Sequence, residues 1–264
     1  MPSARQRELT VAPTRAGRRA MRYPTTTIGA WPQVDEAQMR EIDRIAINDF
    51  GISLLQMMEN AGRSLAQVAM QEFQPRTAVV FAGSGGNGGG GMAAARHLSN
   101  RGVDVHVHLA SASTQLTRAG AHQRNALISM GIAVHEPTAQ LLPADLFIDA
   151  MVGYSLHSEP TGEVASVIAW IKASGAPVLS LDVPTGFSAA SGTLHPTHVA
   201  ADVTLTLAAP KRGLFESLAK GALLVADIGI PGQVFALAGL NPPPVGGSWI
   251  VAIEEGRTPS PERL

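Results

Sequence analysis

Cysteine is absent from this 264-residue chain. Disulfides, thiol nucleophiles, iron–sulfur clusters and thiolate zinc sites are excluded with it. Charge is scarce as well, at 16% of residues, and Lys plus Arg (20) nearly balance Asp plus Glu (21). A globally basic nucleic-acid binder is therefore not expected, because phosphate neutralisation needs a clustered cationic face. No apolar run approaches the ~18 residues that span a bilayer, so no membrane partner is expected either. What the chain has in quantity is hydrophobic residues (45%) and glycine, 27 in all. That length and apolar content suit one large α/β domain or two small ones around a buried core.

The few charges are unevenly spread. Arg5, Arg7, Arg15, Arg18, Arg19 and Arg22 stand against the single acid Glu8 in the first 23 residues. Such an Arg-rich, acid-poor leader fits either an organelle transit peptide or a flexible extension upstream of a start at Met21. The second reading is adopted, with a cytoplasmic location. Asn241-Pro-Pro-Pro-Val-Gly-Gly and Thr258-Pro-Ser-Pro read as a flexible tail. The expected division is a leader over 1–30, one domain over 31–240 and a tail over 241–264.

Between these ends, helical and strand patterns alternate. Leu54, Met58, Ala61, Leu65 and Val68 recur at helical spacing behind Ser53 and Gln56, a capping box. Strands are expected at Ala78–Ala82, Val103–Leu109, Ile132–Val134, Leu146–Asp149, Val178–Asp182, Val203–Leu207 and from Leu223. Helices are expected at Met92–Leu98, over Gln115–Met130, and around Val164, Val167, Ile168 and Ile171. Strands separated by helices imply right-handed crossovers and a mostly parallel sheet with helices on both faces, an α/β fold. Ligands bind such sheets beyond the carboxyl ends of the strands.

Three strand ends carry unusual residues. Seven glycines fall in the nine residues Gly83–Gly91, expected as a loop before a helix. Backbone N–H groups there suit a phosphate or pyrophosphate. Gly83, Gly85 and Gly88 match G-x-G-x-x-G, but the next strand ends in Leu-Ala-Ser without the acid that holds a ribose. No lysine follows, which excludes a Walker A loop. Asp149 and Asp182 each end an apolar strand, where a carboxylate is costly unless paired. They read as cation ligands or general acid/base groups. His195 and His198 lack a third ligand nearby, His106 and His108 read as a partly wet strand face, and Met57, Met58 and Met70 as helix core. Gly-Tyr-Ser155-Leu-His is not a hydrolase nucleophile elbow.

Taken in order, these segments resemble the NAD(P)H-hydrate epimerase family. The run from Gly83 through Met92-Ala-Ala-Ala-Arg-His-Leu98 is similar to its signature G-P-G-N-N-G-G-D-G-L-x-A-A-R-H-L. Met39-Arg-Glu-Ile-Asp43 and Met57-Met-Glu-Asn-Ala-Gly62 are similar to its N-terminal helices. Asp149-Ala-Met-Val-Gly-Tyr-Ser resembles D-A-I-F-G-x-S/G, and Asp182-Val-Pro-Thr-Gly resembles D-I-P-S-G. Ala201-Asp-Val-Thr-Leu-Thr-Leu-Ala-Ala-Pro-Lys-Arg-Gly-Leu214 matches its A-D-x-T-x-T-x-x-x-P-K-x-G-L run. The likeness covers roughly residues 35–235.

The resemblance implies a Rossmann-like three-layer fold, a homodimer and an isomerase of damaged nicotinamide cofactors. Its substrates would be NADHX and NADPHX, hydrated at C6 of the reduced ring, and a separate dehydratase would consume the S form. Potassium is the implied cofactor, with Asn87, Asp149 and Thr185 as ligands, oxygen donors that suit a hard cation. Substrate would contact Gly86, Asn87, Gly88, Gly89 and Gly90, then Gly153, Tyr154, Ser155, Leu156, His157, Ser158 and Glu159, and Asp182. A single acid that protonates the departing C6 hydroxyl and deprotonates incoming water would serve both steps, and Asp182 is assigned that role. The chain departs from the family pattern at Gly86, Gly90 and His157, where asparagine, aspartate and a basic residue are usual. Two alternatives stand beside it: a nucleotide-binding scaffold without turnover, and a dinucleotide-dependent oxidoreductase.

Overall fold

A computed structural model describes residues 22–137 and 139–254. The chain runs β1 (Thr25–Thr27), α1 (Glu36–Asn48), α2 (Leu54–Val68), β2 (Thr77–Ala82), α3 (Gly86–Ser99), β3 (Asp104–Leu109), α4 (Arg118–Ser129) and β4 (Ala133–His135). It continues through β5 (Leu146–Ala150), α5 (Gly162–Ser174), β6 (Val178–Leu181), β7 (Phe187–Ser188), β8 (Thr193–Leu194), β9 (Val203–Leu207), β10 (Ala222–Ala226), α6 (Gly232–Leu237) and β11 (Ile250–Glu254). Helices start where side chains satisfy their free N–H groups. Asp35 with Gln38 and Ser53 with Gln56 form reciprocal capping boxes on α1 and α2.

Nine strands form one sheet in the order β1-β11-β10-β9-β6-β5-β2-β3-β4, and β10–β11 is its antiparallel pairing. Alternation along the strands feeds two apolar layers. Ala78, Val80 and Ala82 of β2 join α1–α4 and α6 on one face, while Val79 and Phe81 meet α5 on the other. The architecture is therefore the expected α/β three-layer sandwich with a mostly parallel sheet. After β2 the chain moves outward to β3 and β4, whereas β5 returns to the opposite side of β2. The carboxyl ends of β2 and β5 thus flank a topological switch point, where a crevice opens.

Three expectations need correction. The leader does not extend to residue 30, since Thr25–Thr27 pair with β11, nor does the tail begin at 241, since Ile250–Glu254 fill the sheet between β10 and β1. The β-branched run Ile-Val-Ala-Ile outweighs the Pro/Gly stretch before it. The leader arginines up to Arg19, Met21 and Thr258-Pro-Ser-Pro lie outside the described residues. Next, the glycine run is largely helix: α3 starts at Gly86, six residues before Met92. Glycine is needed there for close approach. A Cβ on Gly62 of α2 would lie 2.5 Å from the Ala93 Cβ, and one on Gly91 would lie 2.5 Å from the Ala150 Cβ. Tertiary packing thus overrides poor helix propensity.

Last, only His106 is a partly wet histidine of β3. His108 is 2% exposed, its ring stacked 4.5 Å from that of His135, and neither ring nitrogen has a hydrogen-bond partner. Burial, reinforced by His135 and His106, pushes it down to about 4.

Two outcomes follow for stability. Gly91→Ala should destabilise the fold by about 1–3 kcal/mol through overpacking, whereas Gly86→Ala, whose Cβ would meet only Leu54 Cδ1 at 3.9 Å, should leave the urea midpoint level or slightly raised. For His108, the unfolded chain takes up its proton near 6.5 and the folded one only near 4. The unfolded state therefore binds more protons in that window, and stability should fall as pH drops through it, by on the order of 3 kcal/mol. His108→Phe should flatten urea midpoints between those two pH values, and an unchanged slope would assign the acid limb to carboxylates.

Candidate active site

The switch point holds a cavity of about 460 Å³. Two helix stripes wall one side: Met39, Asp43 and Ile47 of α1, four residues apart, and Leu54, Met57, Met58 and Ala61 of α2. Met57 and Met58 are therefore core and cavity wall at once. The Gly83–Gly85 turn after β2 with Gly86 and Asn87 at the start of α3, the Met151–Ser155 turn after β5, and Asp182 and Lys211 close it. The first N–H···O bond of α3 runs from Gly89 to Gly85. The N–H groups of Gly86, Asn87 and Gly88 precede it and form the positive end of the helix.

Asp182 caps β6 in the left-handed region, at φ +69°. A non-glycine residue there costs about 1–2 kcal/mol, and this one is held by four contacts. Its Oδ1 forms an ion pair with Lys211 and accepts from Thr206 Oγ1 (3.5 Å) and Leu207 N–H (3.4 Å), while Oδ2 accepts from Tyr154 N–H at 3.0 Å. Lys211 is 1% exposed and also donates to the carbonyls of Leu207 (2.9 Å) and Ala209 (3.2 Å). A buried ammonium survives only with such pairing.

Asp149 is 0% exposed. It accepts from Ser180 Oγ (2.9 Å), Thr185 N–H (2.8 Å), Thr185 Oγ1 (2.6 Å) and Met151 N–H (3.3 Å). Burial still pushes its carboxyl up, against those hydrogen bonds. Asn87 donates through Nδ2 to the Leu181 carbonyl at 3.2 Å, leaving its buried Oδ1 with no partner. The orphaned amide oxygen of Asn87 and the buried Asp149 carboxylate with its Thr185 hydroxyl, which has no cationic partner among the described residues, are of the oxygen-donor kind that a hard monovalent cation takes.

Of the residues assigned to substrate, Gly86, Asn87, Gly90, Gly153, Tyr154, Ser155 and Asp182 line the cavity. The others are turned elsewhere. Gly88 lies under the Gly83 backbone and Gly89 under Met58. Leu156 is buried, Ser158 is exposed, and His157, also exposed, sits 3.7 Å from Glu36. Glu159 accepts from the N–H and hydroxyl of Thr197, at 3.0 and 2.7 Å. Asp149 and Thr185 are both buried and hydrogen-bonded to each other, and neither lines the cavity. Sequence reasoning assigned no role to Asp43 or Lys211, although both stood in quoted segments. Asp43 shares its stripe with apolar residues, and it accepts from the Tyr154 hydroxyl at 2.6 Å. Burial pushes its carboxyl up, opposed by that hydrogen bond.

Comparison with known proteins agrees with this geometry. The family model described as YjeF-related protein N-terminus matches residues 54–213. A Dehalogenimonas lykanthroporepellens protein named NAD(P)H-hydrate epimerase is 39% identical over 226 residues, covering 84% of this chain and 92% of its own length. One of that name from Levilactobacillus brevis is 34% identical, with 75% and 94% covered. A Salinibacter ruber protein named bifunctional NAD(P)H-hydrate repair enzyme Nnr is 34% identical, but this chain spans only 43% of it. The crystal structure of yeast ynu0, YNL200c, has the same fold, with TM-score 0.72 at 23% identity over 84% of this chain and 99% of its own. With fold, cavity and motifs in register, the chain belongs to the family of the YjeF-related protein N-terminus.

Proposed function

We propose that this protein is an NAD(P)H-hydrate epimerase, an isomerase that interconverts the R and S forms of hydrated NADH and NADPH. Relatives so named match nearly their whole length. The supporting observation in the site is a cavity at the switch point with the α3 N-terminus at one edge and the paired carboxylate of Asp182 at another. Helix N-termini favour phosphate, which every NAD(P)H hydrate carries, and the apolar wall of Met39, Met57 and Met58 suits a nicotinamide ring.

The chemistry asks little of the protein beyond position and proton transfer. The ring nitrogen lone pair expels the C6 hydroxyl, leaving a planar cation, and water adds to either face. Asp182, at the cavity edge with Lys211 holding its charge, takes a proton from that water. Asn87, Asp149 and Thr185 would hold potassium, whose positive charge offsets Asp149 and favours the substrate's phosphates. A homodimer, a separate dehydratase consuming the S form and a cytoplasmic location complete the proposal. The bifunctional relatives show repair enzymes of greater length that contain a matching segment. Among the described residues no helix is long and apolar enough to cross a membrane.

The expected outcome is conversion of R-NADPHX faster than the spontaneous rate, followed by a coupled dehydratase. Asp182→Asn should lower kcat by about 10²- to 10⁴-fold with KM little changed. Removing potassium, or replacing Asp149 with Ala, should also slow the wild-type reaction. A wild-type rate equal to the spontaneous one would move the assignment to a nucleotide-binding scaffold.

A further inference from the structure

Epimerisation through a planar cation needs two proton transfers, one to the departing hydroxyl and one from the incoming water. Four titratable side chains line the cavity among the described residues: Asp43, Tyr154, Asp182 and Lys211. Lys211 has no proton to spare, because its ammonium already donates to Asp182, the Leu207 carbonyl and the Ala209 carbonyl. Asp182, ion-paired with that ammonium, takes the proton of the incoming water in one direction, so the group that serves the departing hydroxyl in that direction is a different one. The donor must lie elsewhere in the cavity.

Tyr154 spans the distance between the two acids. Its backbone N–H donates to Asp182, and its phenol, on the far side of the ring, donates to Asp43 at 2.6 Å. One tyrosine thus links the two carboxyl groups, Asp182 at its backbone N–H and Asp43 at its phenol. The ring is pinned from outside by the Arg40 guanidinium, 5.9 Å from its centroid and itself tied to Glu36. Asp43 reaches this place from the α1 stripe it shares with Met39 and Ile47.

We propose that Tyr154, backed by Asp43, is the second proton-transfer group of the site, serving the face of the substrate opposite Asp182. This rests on the epimerase reading above. With Asp43 protonated, the 2.6 Å hydrogen bond reverses so that the carboxyl donates to the phenol oxygen, and in one direction that proton passes to the phenol as the phenol gives its own to the C6 hydroxyl. The C6–O bond breaks with its electron pair on oxygen, water departs, and the nitrogen lone pair forms the N1–C6 double bond. A second water then forms its C–O bond at C6 from the other face, the nitrogen regains its pair, and Asp182 takes the proton. No electrons are gained or lost overall. Solvent returns the proton from Asp182 and restores Asp43, and in the reverse direction the two groups exchange roles. Burial keeps the Asp43 carboxyl up, so that it holds a proton at higher pH than an ordinary aspartate, and the 2.6 Å hydrogen bond places it on the phenol. The charged and titratable groups facing Asp43 are the Tyr154 phenol, Lys211, Asp182 and Arg40.

Tyr154 is the catalytic residue of this pair and Asp43 its positioning residue. The test compares wild type, Tyr154→Phe and Asp43→Asn for R-to-S conversion of NADHX, with kcat and KM across pH and thermal midpoints as the check on folding. Tyr154→Phe keeps the ring beside Arg40 and the backbone N–H to Asp182 but removes the hydroxyl that meets Asp43, so it should lower kcat by about a hundredfold with KM within a few-fold. Asp43→Asn should lower kcat similarly and remove the alkaline descending limb of its pH profile. An active wild type with Tyr154→Phe within threefold of it, or with that limb intact in Asp43→Asn, overturns the proposal alone. A wild type without turnover overturns the epimerase reading, and this proposal with it.

Discussion

Lys211 brings an ammonium into a place where almost no solvent reaches it, and its charge must be answered within the protein. Asp182 supplies the answer, and the cost is spread over the neighbouring backbone: a left-handed residue at the end of β6, with Ala208 likewise left-handed beyond β9. The pair ties those two strand ends together. Through the Tyr154 N–H it also fixes the turn after β5, and through the Tyr154 ring it reaches Asp43 on α1. Three sheet connections and a helix on one face are thus referred to one buried ion pair, and the polar wall of the cavity is an extension of it.

The other constraint is steric. α3 lies so close to α2 and to the sheet that side chains at Gly62, Gly88 or Gly91 would overlap neighbouring backbone or Cβ atoms. This approach carries the free N–H groups of α3 to the cavity edge, between the ends of β2 and β5. The glycines therefore serve a helix pressed into its surroundings rather than a floppy loop. At Gly86, by contrast, an added Cβ would meet only Leu54 Cδ1, at 3.9 Å.

Much of this was legible in the residues. Strand patterns from Ala78 to Leu207, the Ser53–Gln56 capping box and acids at two strand ends place the sheet and its functional edge, because period and capping are local signals. Contacts between distant segments were not legible in that way. A lysine after Ala-Ala-Pro looks like any surface lysine until β9 is set beside β6, and Asp43 looks like the polar edge of α1 until Tyr154 arrives over a hundred residues later. The helical start at Gly86 was hidden because propensity argues against it, and only packing against Met58 and Ala150 explains it. Conversely, Pro and Gly before Trp249 concealed a strand whose apolar, β-branched residues were plain to see.

That last strand has a consequence for how the molecule is made. In the sheet, β1 pairs with β11, so the first strand of the described chain is completed by the last one. During synthesis at roughly 5–20 residues per second, Thr25–Thr27 wait about ten to forty-five seconds for Ile250–Glu254 to emerge. For the last part of that interval, once Ala222–Ala226 have been made, the nascent sheet has an open margin at β10, whose ladder groups await β11. The apolar residues that β1 and β11 will cover stay in water for as long. The sheet therefore gains its final border only once the segment carrying Ile250–Glu254 has been made.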